Sequence, residues 1–384
     1  MRLRHLTLHQ FRSHAHTELD ASPNVNLLVG PNGAGKTNVL EALGYLGLGK
    51  SFLGTPDATV LQRGADHFSV EGRFAGDERS DVRIRLAVVP GQEKRAFVNG
   101  SPLDTLASLV GRIPCVILSP DDIQLTAGGP AERRRLLDTT LSQAYPAYLD
   151  DSLRYRRALK QKNALLQHAR RGRGAPEGSL DAWDEELSVL GARVVQRRRT
   201  FLDGLAERMG EAHSMLGEPG SPPTLRYQPS IGEASDSDED ATRAALRRTR
   251  RRSLDLGRTL VGPHLDEVLF QLDGFDLRPF ASQGQHRTFA LIVRIAQALF
   301  FCSRFDEPPI LLLDDVFGPL DPERTNVVLS LLVSGTLGQS FITAARTEPF
   351  EGIVPFESSD HSAFHVERGT VTPLSSLSPP LAPS

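Results

Sequence analysis

Gly30-Pro31-Asn32-Gly33-Ala34-Gly35-Lys36-Thr37 is the stretch on which the fold turns. It fits the pattern G-x-x-x-x-G-K-[ST], and its flanks are those the pattern requires. Asn26 to Val29 is a short apolar run that reads as a buried strand, and the run Asn38 to Leu46 reads as a helix. Strand, glycine-rich turn and helix in that order let the backbone curl so that its N–H groups converge on phosphate oxygens. The helix N-terminus adds its dipole at the same point. Gly30, Asn32, Gly33, Ala34, Gly35 and Asn38 then form the cradle, Lys36 neutralises β and γ phosphates, and the Thr37 hydroxyl ligates magnesium. A nucleoside triphosphate with Mg2+ is the ligand this reading implies. Lysine is rare in this chain, where arginine carries nearly all the positive charge, so a lysine at this position is informative.

Outward from the loop, Pro309-Ile310-Leu311-Leu312-Leu313-Asp314-Asp315 is an apolar run that only a buried strand accommodates, ended by two carboxylates. Two anions at a strand end need a cation, so Asp314 is read as the magnesium ligand and Asp315 as the catalytic group that orients or deprotonates the attacking water. A pair of helix caps is the competing reading, because Asp caps helices readily. Ser282-Gln283-Gly284-Gln285 would by itself also read as a cap. Placed before a helix through Ile295 and ahead of that strand, it resembles the signature motif of ABC-type ATPases. The resemblance implies that these four residues bind the γ-phosphate of a nucleotide held by a second subunit, so that ATP is shared across a homodimer. Gly318-Pro319-Leu320-Asp321 follows as the D-loop does in such ATPases, which places Asp321 at the dimer interface. Phe341 to Arg346 lies where transporters of this class carry a switch histidine; none is present, and Thr343 suits either the γ-phosphate region or an ordinary strand.

The combined set of motifs resembles the RecF family, relatives of the SMC heads. The segments that carry it are Phe11-Arg12-Ser13, Leu28 to Leu43 with Lys50-Ser51-Phe52, Leu118-Ser119-Pro120-Asp121-Asp122, Arg133 to Asp138, Gly262-Pro263-His264, Ser282 to Thr288 and Leu311 to Leu320. The resemblance implies an ATP-dependent homodimer that binds duplex DNA beside single-stranded gaps and helps load the recombinase RecA with RecO and RecR. By position it places Arg12 near the nucleotide, although a surface arginine is the plainer reading. The pattern departs at Leu265, where many members carry arginine, and at Ala344-Ala345, usually a more polar strand end. Gln124, with Asp121 and Asp122 as competitors, is the candidate for the Q-loop.

Composition bounds the rest. The chain has 384 residues, 44 Lys+Arg against 47 Asp+Glu and a formal net charge of -3, so no overall basic field attracts nucleic acid and any contact must be local. Cys115 and Cys302 are too few and too far apart for a disulfide framework or a cysteine zinc site. The N-terminus lacks a signal-peptide core, and Arg294, Gln297 and Arg304 interrupt the most apolar helix, so a cytoplasmic protein without a membrane span is expected. Strand patterns at Leu6 to Phe11, Phe68 to Phe74, Val82 to Val89, Ala96 to Val98 and Val116 to Leu118 give way to two amphipathic helices, one through Tyr148, Tyr155 and Leu166, the other through Trp183 to Leu205. The acidic run Ser235 to Asp240 reads as a solvated loop, and α/β character returns with Val268 to Leu272, Gln283 to Phe301, Pro322 to Leu332 and Phe341 to Thr343.

The fold class is therefore α/β, an SMC/ABC-type ATPase head of the phosphate-loop NTPase class with an inserted, mostly helical arm. The head is expected over 1–125 and 259–370, the arm over 126–258, and a disordered tail over 371–384. Arginine clusters of the helical region, with Arg133, Arg134, Arg154, Arg197 and Arg198 as candidates, suit a solvated helix face singly and a DNA groove collectively. The nucleotide-binding subunit of a membrane transporter is the alternative, which a switch histidine would favour. An appended nuclease is disfavoured, since no second carboxylate cluster is found.

Overall fold

The computed structural model describes residues 1–76, 81–173, 178–232, 238–318 and 320–374. In chain order, β1 (Arg2–Phe11), β2 (His14–Asp20) and β3 (Val25–Val29) lead into α1 (Lys36–Leu48) and the short α2 (Asp57–Val60). Then come β4 (Phe68–Ala75), β5 (Val82–Val88), β6 (Arg95–Val98), β7 (Ser101–Pro102) and β8 (Cys115–Leu118). The helices α3 (Ile123–Ala127), α4 (Pro130–Ala144), α5 (Pro146–His168) and α6 (Ser179–Met215) follow, with β9 (Thr224–Gln228) before α7 (Asp238–Leu256). The remainder is β10 (Glu267–Leu272), β11 (Phe275–Asp276), α8 (Leu277–Phe280), α9 (Gln283–Arg304), β12 (Ile310–Asp314), α10 (Pro322–Val333), β13 (Ser340–Ala344), β14 (His361–Glu367) and β15 (Thr370–Pro373).

The chain forms two compact units, Met1–Asp121 with the residues from Arg294 onward, and Asp122–Val293. The first holds two six-stranded sheets, one antiparallel in the order β2-β1-β4-β5-β6-β7, the other in the order β15-β14-β3-β13-β12-β8. In the second, β14, β3, β13, β12 and β8 run parallel. Both strands that flank β3 come from the far end of the chain. Leu3, Leu6, Leu8 and Phe11 of β1 share one core with Val39, Leu40, Leu43 and Leu46 of α1 and with Leu312, Phe341 and Phe364 of the parallel sheet. The alternation in β1 turns Leu6 and Leu8 inward and Thr7 and His9 outward, as a one-sided sheet requires, whereas β3 and β13 are buried along their whole length. Phe11, Tyr45 and Phe68 close the core edge to face, with centroids 5.4 to 5.8 Å apart.

In the second unit α5 and α6 are antiparallel, since Asp151 pairs with Arg197 (3.1 Å) while Lys162 pairs with Asp184. Tyr155 and Ala158 of α5, Leu187 and Leu190 of α6, Ala245 and Leu246 of α7 and Val261 form its helical core. A three-stranded antiparallel sheet, β11-β10-β9, completes it, turning through Asp273 and Gly274, both at positive φ.

Several expectations are corrected. The second unit extends to Val293, past the expected arm boundary at 258, because β10 pairs with β9 and Phe270 packs on Phe289. Of the expected acidic loop, residues 238–240 are the first turn of α7, where carboxylates favour a helix N-terminus, and Glu239 pairs with Arg243; residues 235–237 lie outside the described residues. Residues 371–373, expected in a disordered tail, belong to β15; 375–384 lie outside the described residues.

Candidate functional site

The phosphate loop lies between β3 and α1 with Gly33 at φ 79° and Gly35 at φ 110°, conformations that side-chain-bearing residues avoid. Gly35 is packed as well as twisted: a Cβ there would stand 2.6 Å from Ser13 Oγ and 2.9 Å from His14 Nε2. Gly30 is not at positive φ, but a Cβ on it would meet the Val366 carbonyl of β14 at 2.1 Å. The loop is also buttressed by the turn after β14, where Gly369 N–H donates to Ala34 O at 2.9 Å. Pro31, Asn32 and Gly33 are exposed. The Lys36 ammonium donates to the Gly30 and Pro31 carbonyls at 2.7 and 3.0 Å, which keeps it over its own loop. Burial lowers the Lys36 pKa, and the charges of Asp315 and Asp314 oppose that shift.

Asp314 ends β12 beside the loop. Its Oδ1 accepts from the Thr37 hydroxyl at 2.8 Å and from the Thr343 hydroxyl at 2.7 Å. Asp315 follows in the left-handed region at φ 48°, and its N–H donates to Thr343 Oγ1 at 2.9 Å while its side chain stays exposed. Thr343 is therefore a positioning residue in this structure: its hydroxyl holds both the carboxylate of Asp314 and the peptide of Asp315. The Thr37 hydroxyl and Asp314 carboxylate offer the hard oxygen donors that would hold Mg2+. The donor set fits the expected cation.

The two-residue turn between β1 and β2 carries Arg12, at φ 57°, onto α1. Arg12 Nε and Nη2 both bind the Glu41 carboxylate at 2.8 Å, and Nη2 reaches Thr55 Oγ1 at 3.0 Å. Glu41 is fully buried and also accepts from Ser51 Oγ at 2.5 Å. The Glu41 hydrogen bond raises the Arg12 pKa, against burial, so the guanidinium stays charged. The same turn places Ser13 Oγ to accept from Asn38 Nδ2 at 2.9 Å, and buried His14 to join Gly35 O at 3.0 Å and Thr17 Oγ1 at 2.9 Å through its two ring nitrogens. Burial lowers the His14 pKa, against hydrogen bonds to Gly35 and Gly369 that raise it. Neither His14 nor Glu41 stands out as a site residue in the sequence. A lone carboxylate inside the apolar run Val39 to Leu46 was the one signal for Glu41; nothing local marked His14.

Ser282, Gln283, Gly284 and Gln285 are all exposed at the start of α9. The Ser282 N–H donates to Gln285 Oε1 at 2.8 Å and the Gln285 N–H to Ser282 Oγ at 3.2 Å, a reciprocal capping box. Asp321 caps α10, accepting from the Arg324 N–H at 2.9 Å. Gln124 is exposed on α3.

Two of the arginines expected to meet DNA are buried instead. Arg133 grips Glu267 at 2.9 and 3.0 Å and donates to the Leu125 and Gly128 carbonyls. Arg198 is spent on Asp138 (2.8 Å), the Pro263 carbonyl (2.7 Å) and Tyr148 Oη (3.2 Å). A desolvated guanidinium with its donors occupied has none for a phosphate. Arg134 donates to the Asp266 carbonyl at 2.7 Å, Arg197 to Asp151, and Arg154 is exposed 3.9 Å from Asp150.

The family model described as the RecF/RecN/SMC N terminal domain matches residues 2–357. A protein of Salinibacter ruber named DNA replication and repair protein RecF is 45% identical over 96% of this chain and 91% of its own length. The chain belongs to the RecF family. A relative of the same name in Chloroherpeton thalassium is 40% identical over 91% of this chain and 96% of its own. Among solved structures, the recombination mediator protein RecF with ATP, of the RecFOR pathway, superposes with a TM-score of 0.89 at 29% identity, over 97% of this chain and 98% of that one. An Smc head domain from Pyrococcus furiosus shares the fold, with a TM-score of 0.56 at 16% identity over 97% of this chain and 96% of that one. The fold is thus that of the SMC/ABC-type ATPase head. Among the described residues no helix is long and apolar enough to cross a membrane.

Proposed function

We propose that this RecF-family chain is an ATP-dependent DNA clamp of recombinational repair: two copies close on shared ATP around duplex DNA beside a single-stranded gap. Slow hydrolysis then reopens them, so the chemistry times a bound state. With RecO and RecR the closed form promotes loading of RecA, in line with the relatives' names and with the RecFOR pathway of the ATP-bound structure. The observation that carries the reading is the meeting of Thr37 and Asp314 at 2.8 Å beside the Lys36 loop. Bound Mg2+ would supply charge neutralisation of the β and γ phosphates there. Lys36 and the loop amides bind the phosphates, Thr37 and Asp314 would hold the cation, Thr343 fixes Asp314, and Asp315 orients or deprotonates the attacking water. The exposed start of α9 presents its hydroxyl and amides to the nucleotide of the second copy, and Asp321 lies at that interface.

Light scattering with anisotropy of a labelled gapped duplex in magnesium tests it. ATP is expected to double the mass and tighten DNA binding. Ser282→Arg is expected to abolish both while labelled ATP still binds. A variant that dimerises normally would remove the shared-nucleotide arrangement.

A further inference from the structure

With Arg133 and Arg198 buried, the free positive charge of the second unit lies elsewhere. The arginines on the inner side of α7 are neutralised: Arg243 by Glu185, Glu239 and Asp240, Arg250 by Asp181 and Asp184. Arg247, Arg248, Arg251 and Arg252 are exposed and, among the described residues, hold no ion pair. Glu185, already bound by Arg243, feels Arg247 only through space. The chain past α7 folds back on the end of α5, where Thr259 N–H and Oγ1 both donate to Asn163 Oδ1 at 2.8 Å. A Cβ on Gly257 would stand 3.2 Å from Arg170 Cδ. Exposed Arg170, Arg171 and Arg258 thereby join the four of α7, with Asp255 the one exposed acid within that stretch of α7.

Helix chemistry alone does not account for the cluster. The last turn of α7 contains no basic residue, so the charges do not complement the helix dipole. Arg247 with Arg251 and Arg248 with Arg252 are like-charge pairs one turn apart, which disfavours the helix. A polyanion reverses that repulsion, and guanidinium groups match phosphate bidentately. Residues 238–258 contain no Phe, Tyr or Trp, so α7 offers no platform on which unpaired bases could stack. We propose that the outer face of α7 from Arg247 to Arg252, with Arg170, Arg171 and Arg258, is the surface that binds the phosphate backbone of duplex nucleic acid. The inference rests on the proposed function and names its DNA-binding surface.

The test is full-length protein with ATP and a labelled duplex, titrated by anisotropy over a series of salt concentrations. One variant carries Arg247→Gln, Arg248→Gln, Arg251→Gln and Arg252→Gln; a second carries Lys at the same four positions. The Gln variant is expected to bind about tenfold or more weakly near 0.1 M salt, with a log–log salt slope shallower by up to about 3.6, at ~0.9 for each of four phosphates left without its arginine. The Lys variant is expected to regain most of the affinity, and both should keep the ATP-dependent dimer mass. An unchanged affinity and slope in the Gln variant overturns the inference and leaves the clamp intact. An equal loss in the Lys variant overturns it in favour of structural damage, and competition by polyglutamate at equal charge overturns it in favour of an acidic protein partner. Wild-type protein that fails to bind duplex at any salt removes the proposed function with it.

Discussion

Thr343 lies in a segment without histidine, and the two hydrogen bonds of its hydroxyl decide what it does there. It donates to Asp314 and accepts from the Asp315 N–H, so it acts on the carboxylate and on the strained peptide that follows. Removing such an outer hydrogen bond typically weakens metal binding ~10- to 100-fold. Thr343→Val is therefore expected to weaken Mn2+ binding to the ATP-loaded protein by that order, read by electron paramagnetic resonance, with Thr343→Ser close to wild type. Equal metal affinity in the Val variant would reduce Thr343 to strand packing. The phosphate loop and the carboxylates of Asp314 and Asp315 were legible because each lies in a local pattern. His14 and Glu41 were not, since their roles depend on partners 21 and 29 residues away. Arg133 and Arg198 were misread for a related reason: an arginine-rich helix looks alike from the sequence whether its charges face solvent or buried acids.

Among the elements, the start of α9 carries a helix cap, and substitution can separate that cap from the nucleotide contact proposed for it. Ser282 and Gln285 cap the helix reciprocally, and Asp serves as well as Ser at such a position. Ser282→Asp is expected to leave thermal stability near wild type yet abolish ATP-dependent dimerisation, because its carboxylate repels the partner's γ-phosphate. Ser282→Ala is expected to cost about 1 kcal/mol of stability. Calorimetry and light scattering read the two effects independently; an Asp variant that still dimerises would leave Ser282 with the cap alone. The long helices and the apolar strands β3, β12 and β13 were legible from their periodicity. Strand β2 was not, since its inward positions are His14, Thr17 and Leu19 rather than a run of large apolar residues. Nor were β14, held by pairing with distant β3, and β15, which pairs with β14.

At the scale of the whole molecule, acid is expected to cost stability through the second unit's buried polar network. Its Gly262-Pro263-His264 turn sits in a buried polar network: Tyr155 Oη meets His264 Nδ1 at 2.7 Å, while Arg198 binds the Pro263 carbonyl and Asp138. Burial pushes the His264 pKa down to about 4, so the folded state keeps the ring neutral. The unfolded chain takes up that proton more readily, so the contribution of His264 is complete above the ordinary histidine value and lost as pH falls toward 4. Burial alone would raise Asp138, but the Arg198 charge and the Tyr148 and Arg198 hydrogen bonds outweigh it and hold the carboxyl below its ordinary value, so its contribution is lost at lower pH still. Together these predict a thermal midpoint that drops between pH 6.5 and 4, with His264 accounting for about 3 kcal/mol. His264→Gln should flatten that dependence, and a wild-type slope in the variant would remove His264 from it.

Strand β3 and the phosphate loop belong to the first tenth of the chain, yet their neighbours β13 and β14, the Val366 carbonyl against Gly30 and the Gly369 hydrogen bond to Ala34 all arrive near its end. During synthesis a ribosome thus exposes the complete nucleotide-binding motif long before any strand can pair beside it. ATP can act as a folding ligand only after translation has passed β14, and a nascent chain stalled upstream carries an apolar β3 with both edges open, a target for chaperones rather than for nucleotide.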